Sequence, residues 1–147
     1  MSYIDHTLLP GERVVYRASL HWIGFARPAL VLVLGVVVLF LVPGVLVVGG
    51  AVLLAGVLLL LPPLVAYTTT EFGVTTKRVI IKTGLVRRHT LELLLRQVEA
   101  ISVEQGLAGR LLGFGSITLT GTGGVREVFD RVGDPLELRR RIQGQAA

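Results

Sequence analysis

The chain has 147 residues, a mean hydropathy of +0.70, 52% hydrophobic residues and a net charge of +5. Such hydropathy belongs to membrane proteins and argues against an ordinary soluble enzyme of this size. Cysteine is absent, so there is no disulfide framework and no thiol nucleophile, which fits a cytoplasmic domain.

Residues 1–21 read as a short polar arm. Leu9-Pro10-Gly11-Glu12 is a turn signal, and the alternation from Arg13 to Leu20 suits a short strand. From Pro28 to Ala66 the chain is uncharged and almost wholly apolar, broken once at Pro43-Gly44. A helix needs about 20 apolar residues to cross a bilayer. The arm 45–65 has that length. The first arm reaches it when extended back through Trp22-Ile23-Gly24-Phe25-Ala26, with Arg27 near one end, where its stem can snorkel to the headgroups. Residues 22–66 are therefore expected to form a two-helix transmembrane hairpin turning at 43–44. The run starts too late and is too long for a cleaved signal peptide.

Trp22, Phe25, Arg27 and Tyr67 fall where interfacial anchors belong. Gly49 and Gly56 share one face of the second helix, and Ala51 and Ala55 form a small-xxx-small pair. Both pairs admit a close helix neighbour, either the first helix or another copy. All 15 Lys and Arg lie outside the run. Arg13, Arg17 and Arg27 before it, and Lys77, Arg78 and Lys82 after it, place both flanks in the cytoplasm.

Past Tyr67 the period becomes strand-like. Phe72, Val74 and Thr76 alternate, as do Val79 and Ile81, Leu91, Leu93 and Leu95, Ile101 and Val103, Ile117 and Leu119, and Val125, Glu127 and Phe129. Turns are expected at Thr83-Gly84 and Gly121-Thr122-Gly123-Gly124. Six or seven short strands predict an antiparallel sandwich or small barrel over 67–147. A closing helix follows, with Asp134 as N-cap, Pro135 at N1 and Glu137 at N3 in a capping box. Leu138 and Ile142 supply its apolar face, and Glu137 pairs with Arg141.

Seven strands capped by one C-terminal helix is the pleckstrin-homology (PH) architecture. Leu9-Pro10-Gly11-Glu12-Arg13-Val14, Glu71-Phe72-Gly73-Val74-Thr75-Thr76-Lys77-Arg78-Val79-Ile80, Thr83-Gly84-Leu85-Val86-Arg87-Arg88, the stretch 93–103 and Gly109-Arg110-Leu111-Leu112-Gly113-Phe114-Gly115 resemble, in order and spacing, the PH-like domain of small two-helix bacterial membrane proteins. The resemblance implies a membrane α-helical hairpin plus an all-β PH-like barrel capped by one C-terminal α-helix. Together with the charge placement above, the expected protein is a multi-pass protein of the bacterial inner membrane with both termini cytoplasmic. It implies little about chemistry, because fold does not carry function.

No catalytic constellation is present. His6, His21 and His89 are isolated, without metal-ligand spacing. The glycines at 113 and 115 fit a turn or bulge and match no nucleotide loop. No cofactor, small-molecule substrate or nucleic acid is expected. The sequence pI of about 10.4 is accounted for by a positive surface facing a membrane. Lys77, Arg78, Lys82, Arg87 and Arg88 flank one predicted hairpin. They are possible contacts for anionic lipid, or they serve only to fix topology and solubilise the strands. The expected function is a non-enzymatic, membrane-anchored interaction module. It would act as an oligomeric scaffold or an accessory subunit beside a membrane-protein partner. Recognition of anionic headgroups is the alternative.

Overall fold

A computed structural model describes residues 2–147. In chain order the elements are α1 (Tyr3–Thr7), β1 (Val14–Ala18), α2 (Ala26–Leu41), α3 (Leu46–Thr69), β2 (Glu71–Thr75), β3 (Arg78–Thr83), β4 (His89–Leu94), β5 (Val98–Glu104), α4 (Leu107–Leu112), β6 (Phe114–Gly121), β7 (Val125–Gly133) and α5 (Pro135–Ala146). They make two compact units: the residues up to His21 with Thr69–Ala147, and Trp22–Thr68.

The helical unit opens with a 3-10 turn at Trp22–Phe25 that runs into α2. Trp22–Leu41 and Leu46–Thr69 are both long and apolar enough to cross a membrane. Gly44, at φ +85°, closes the turn between them, a conformation open to glycine without steric cost. α3 continues through Pro62 and Pro63, which removes the donors that the Leu58 and Leu59 carbonyls would otherwise receive. The two helices touch through glycine. A Cβ at Gly35 would lie 2.9 Å from Leu53, one at Gly49 2.5 Å from Leu39, and one at Gly56 2.7 Å from Leu32. Gly49 and Gly56 therefore face α2, and Gly35 is their counterpart on the first helix. Ala51 and Ala55 do not join them, because both are exposed. At 100° per residue Ala51 stands about 200° round from Gly49, on the far side of the helix.

The β unit holds a four-stranded antiparallel sheet in the order β1-β2-β3-β4 and a three-stranded sheet in the order β5-β6-β7. Residues 1–21 were expected as a separate arm. Instead β1 pairs along β2, Ala18 against Phe72 and Tyr16 against Val74. The expected 67–147 domain thus takes its first strand from before the hairpin. α1 is tied to the same sheet. Ile4 is buried against Gly73, and the Glu71 carboxylate accepts a 2.6 Å bond from the Ser2 hydroxyl and longer ones from the Tyr3 and Ile4 N–H groups.

The period-two residues meet between the sheets. Phe72 and Val74 of β2, Val79 and Ile81 of β3, Ile117 and Leu119 of β6, and Phe129 and Val132 of β7 form one buried cluster with Leu138 and Ile142 of α5. The rings of Phe72 and Phe129 meet edge to face, 5.5 Å apart, a favoured aromatic geometry. A closed barrel is not found. The chain passes from β4 to β5 through a 3-10 turn at Leu95–Gln97 without a ladder. On the other side, among the described residues, no ladder joins the sheets: the isolated bridge Leu20–Val132 links them, flanked by His21 N–H to the Arg131 carbonyl and Gly133 N–H to the Ser19 carbonyl.

The capping box at α5 is also absent. Asp134 sits at φ +47°, ψ +56° and makes no side-chain cap bond. An N-cap normally has extended φ/ψ. Here the left-handed residue closes the bend from Gly133 into Pro135. Glu137 bonds instead to Arg141, at 2.7 Å.

Candidate functional site

The five basic residues singled out by the sequence do not form one cluster. Lys77 is exposed in the turn between β2 and β3. Arg87 and Arg88 are exposed in the loop after β3. The six residues of β3 hold the two groups about 20 Å apart. Lys82 is half-buried, its ammonium 5.1 Å above the Tyr3 ring.

Arg78 is not a surface residue. It is buried at the start of β3. Its Nε donates to Glu12 Oε1 at 3.0 Å and its Nη2 to Glu12 Oε2 at 3.1 Å. Nη2 also donates to the Thr7 carbonyl at 2.6 Å, and Nη1 pairs with the Glu92 carboxylate. With its guanidinium so engaged, Arg78 is removed from the possible lipid contacts. Glu12 is equally committed. Its Oε2 accepts the Leu9 N–H at 2.8 Å and its Oε1 the Thr75 hydroxyl at 2.6 Å. Burial pushes the Glu12 carboxyl up, but the Leu9, Thr75 and Arg78 bonds outweigh it and hold the group below the ordinary carboxylate value. The Glu12 bond raises Arg78 above its ordinary value, against burial. Burial likewise pushes Glu71 up, and the bonds from Ser2, Tyr3 and Ile4, with Lys82 nearby, bring it below. The Leu9–Glu12 turn, expected only as punctuation, is thus the clamp that fixes the N-terminal segment to β2 and β3.

One end of the four-stranded sheet gathers the chain's connections. β1 leaves it at Ala18, paired with Phe72 beside Glu71, where β2 begins; Glu71 pairs with Lys82, and Thr83 pairs with His89. The loop 84–88 spans this end, with Arg87 and Arg88 beside exposed Leu85 and Val86, the latter 94% exposed. An open hollow of about 340 Å³ at the same end is lined by residues that include Leu20, Thr70, Thr83, His89 and Arg131. The His89 ring lies 3.8 Å from Glu127 across it. In the helical unit, the Phe25 and Tyr67 rings meet at 5.6 Å, near edge to face. Trp22 and Arg27 are exposed. Sequence reasoning missed Glu12, Glu92 and the outward leucines of α4, Leu107 and Leu111. The Glu12–Arg78 pair spans 66 positions, and no local periodicity signals such a partner.

A four-stranded and a three-stranded antiparallel sheet packed face to face, closed by a C-terminal helix, define the PH class. The chain belongs to the bacterial PH domain family, whose sequence profile matches residues 29–146. That span takes in α2 from Ala29 onward, all of α3 and every strand except β1. PH-type domains are typically interaction modules, and no enzymatic family is indicated. No curated protein and no solved structure matches the chain.

Proposed function

We propose that this protein is a non-enzymatic PH-type interaction module anchored in the bacterial inner membrane by the α2–α3 hairpin. Its termini and β unit lie on the cytoplasmic side, and it works as an oligomeric scaffold or an accessory subunit of a membrane-protein assembly. The observation that carries the reading is the bare aliphatic surface of the helices. Phe40 is 84% exposed and Val47 86%, and only 11% of each span is buried. A contiguous apolar surface of this kind does not persist in water, whereas hydrocarbon accommodates it. Arg13, Arg17, Arg27, Lys77 and Lys82 support the cytoplasmic placement of both flanks. Pairing of β1 with β2 makes the β unit depend on both ends of the hairpin, so the anchor is part of the domain's chain path and not a detachable leader.

Single cysteines on the otherwise cysteine-free chain test the topology. In intact cells a membrane-impermeant maleimide is expected to label Pro43→Cys and to spare Gln145→Cys until the cells are lysed. Labelling of both in intact cells, or release of the protein by alkaline carbonate, contradicts the reading.

Loop 84–88 favours a second reading, contact with anionic headgroups. Arg87 and Arg88 are exposed on it beside two apolar side chains. They sit at the sheet end from which the chain departs for the hairpin. Each basic residue near an anionic surface contributes about 1 kcal/mol.

A further inference from the structure

α4 carries an outward apolar face that the β unit does not cover. Leu107 is 83% exposed and Leu111 86%. They stand one turn apart on the same face. Gly109, about 200° round the helix from each of them, is the inward side. A Cβ there would lie 2.4 Å from the Phe114 carbonyl oxygen, so the helix is seated and cannot roll its leucines inward. Gly113, at φ +77°, ends the helix and turns the chain into β6. Arg110 is exposed on the same turn and lines one hollow with Leu136 of α5.

The position of α4 decides what meets these leucines. Phe114, two residues beyond Leu112, lies against His21, the rings tilted by 32° with centroids 5.2 Å apart. His21 is held by its N–H bond of 2.7 Å to the Arg131 carbonyl. The next residue is Trp22, one peptide step of about 3.8 Å away, where the first candidate span begins. α4 is therefore tethered within a few residues of the place where the chain would enter lipid. A few leucines fall well short of the roughly 1,000 Å² that a stable protein interface needs. Leucines on one side with an arginine beside them suit the headgroup–acyl boundary.

We infer that α4 rests on the bilayer surface, with Leu107 and Leu111 in the headgroup–acyl boundary and Arg110 against anionic headgroups. The inference rests on the membrane reading of α2 and α3. It adds a third lipid contact, made by the β unit itself, which restrains that unit against the membrane.

The test uses the full chain in nanodiscs of phosphatidylglycerol and phosphatidylcholine, with an environment-sensitive fluorophore on a single cysteine. Leu111→Cys and Leu107→Cys report on α4. Leu58→Cys reports on the hairpin, and Thr122→Cys on the β6–β7 turn at the other end of β6. Lipids spin-labelled at a shallow acyl carbon are expected to quench both α4 labels at least twofold more than the Thr122 label, and lipids labelled deep in the acyl chain to quench Leu58. Quenching at Leu58 with α4 labels no more quenched than Thr122 overturns the inference and leaves the anchor standing. A blue-shifted but unquenched α4 label overturns it in favour of a protein contact. No quenching at Leu58 removes the anchor and the inference together.

Discussion

Glu12 and Arg78 face each other as a two-point fork, with N–O separations of 3.0 and 3.1 Å, and the Glu12 side chain is fully buried. The pair joins the turn before β1 to the first residue of β3, across the insertion of both apolar helices. With the β1–β2 ladder it ties the segment before the helices to the strands that follow them.

Breaking that pair should be costly. Arg78→Met leaves the Glu12 carboxylate buried without its cation and is expected to lower stability by about 3 kcal/mol. Adding Glu12→Gln should recover part of the loss, a non-additive result expected of residues in contact. Chemical denaturation of the purified chain measures both. An Arg78→Met protein as stable as wild type would return Arg78 to the surface role that its sequence position suggested.

Acid should weaken the β unit through the same groups. Glu12 and Glu71 both sit below their ordinary value near 4.5 in the folded state. A depressed folded pKa gives stability that is complete above the unfolded pKa and is lost as pH falls through the folded one. The melting temperature is therefore expected to hold down to about pH 4.5 and to fall below it. Glu12→Gln, already without the charge, should show a shallower fall. Equal slopes for the two proteins would deny Glu12 this part.

Helix packing within the hairpin gives a third expectation. Gly56→Leu drives new atoms into Leu32, already 2.7 Å from the position of a Cβ. It should cost about 1–3 kcal/mol by overpacking. Ala55→Leu, on the exposed face, should cost nothing measurable. Trp22 is the only tryptophan, so its emission during denaturation with sodium dodecyl sulfate follows the hairpin. Equal midpoints for the two variants would contradict the packing.

For loop 84–88 the expectation concerns lipid. Arg87→Glu with Arg88→Glu removes two cations worth about 1 kcal/mol each, roughly thirtyfold in anionic-lipid preference. Native mass spectrometry of the full chain in mixed-lipid nanodiscs reads the retained phosphatidylglycerol. The full chain is required because a 67–147 fragment lacks β1. Unchanged retention would assign these arginines to solubility and topology alone.

Much of this architecture is legible in local periodicity. The alternations at Phe72 and Val74, Val79 and Ile81, and Ile117 and Leu119 identify the core faces, because a half-buried strand repeats every two residues. The apolar run identifies the two long helices, and Leu138 with Ile142 the covering face of α5. What escaped was non-local or conformational. β1 finds β2 across the whole helical insertion, and Arg78 finds Glu12 across the same gap; neither leaves a trace in a short window. The left-handed Asp134 looks like a cap in sequence because Asp serves both conformations. That Ala51 and Ala55 lie off the seam with α2 was within reach: helical phase from Gly49 and Gly56 already turns them away from it, which leaves another copy as the neighbour their spacing would admit. The basic residues at 77–88 looked like one patch because sequence proximity hides the length of the strand between them.

The most direct test of the anchored-module account is mass spectrometry of the full-length protein drawn from native membranes in mild detergent with its lipids retained. The account predicts recovery from the membrane fraction in a complex of fixed stoichiometry, with a second membrane protein or with further copies of itself. A lone monomer without a co-purifying protein, or recovery from the soluble fraction, would contradict it.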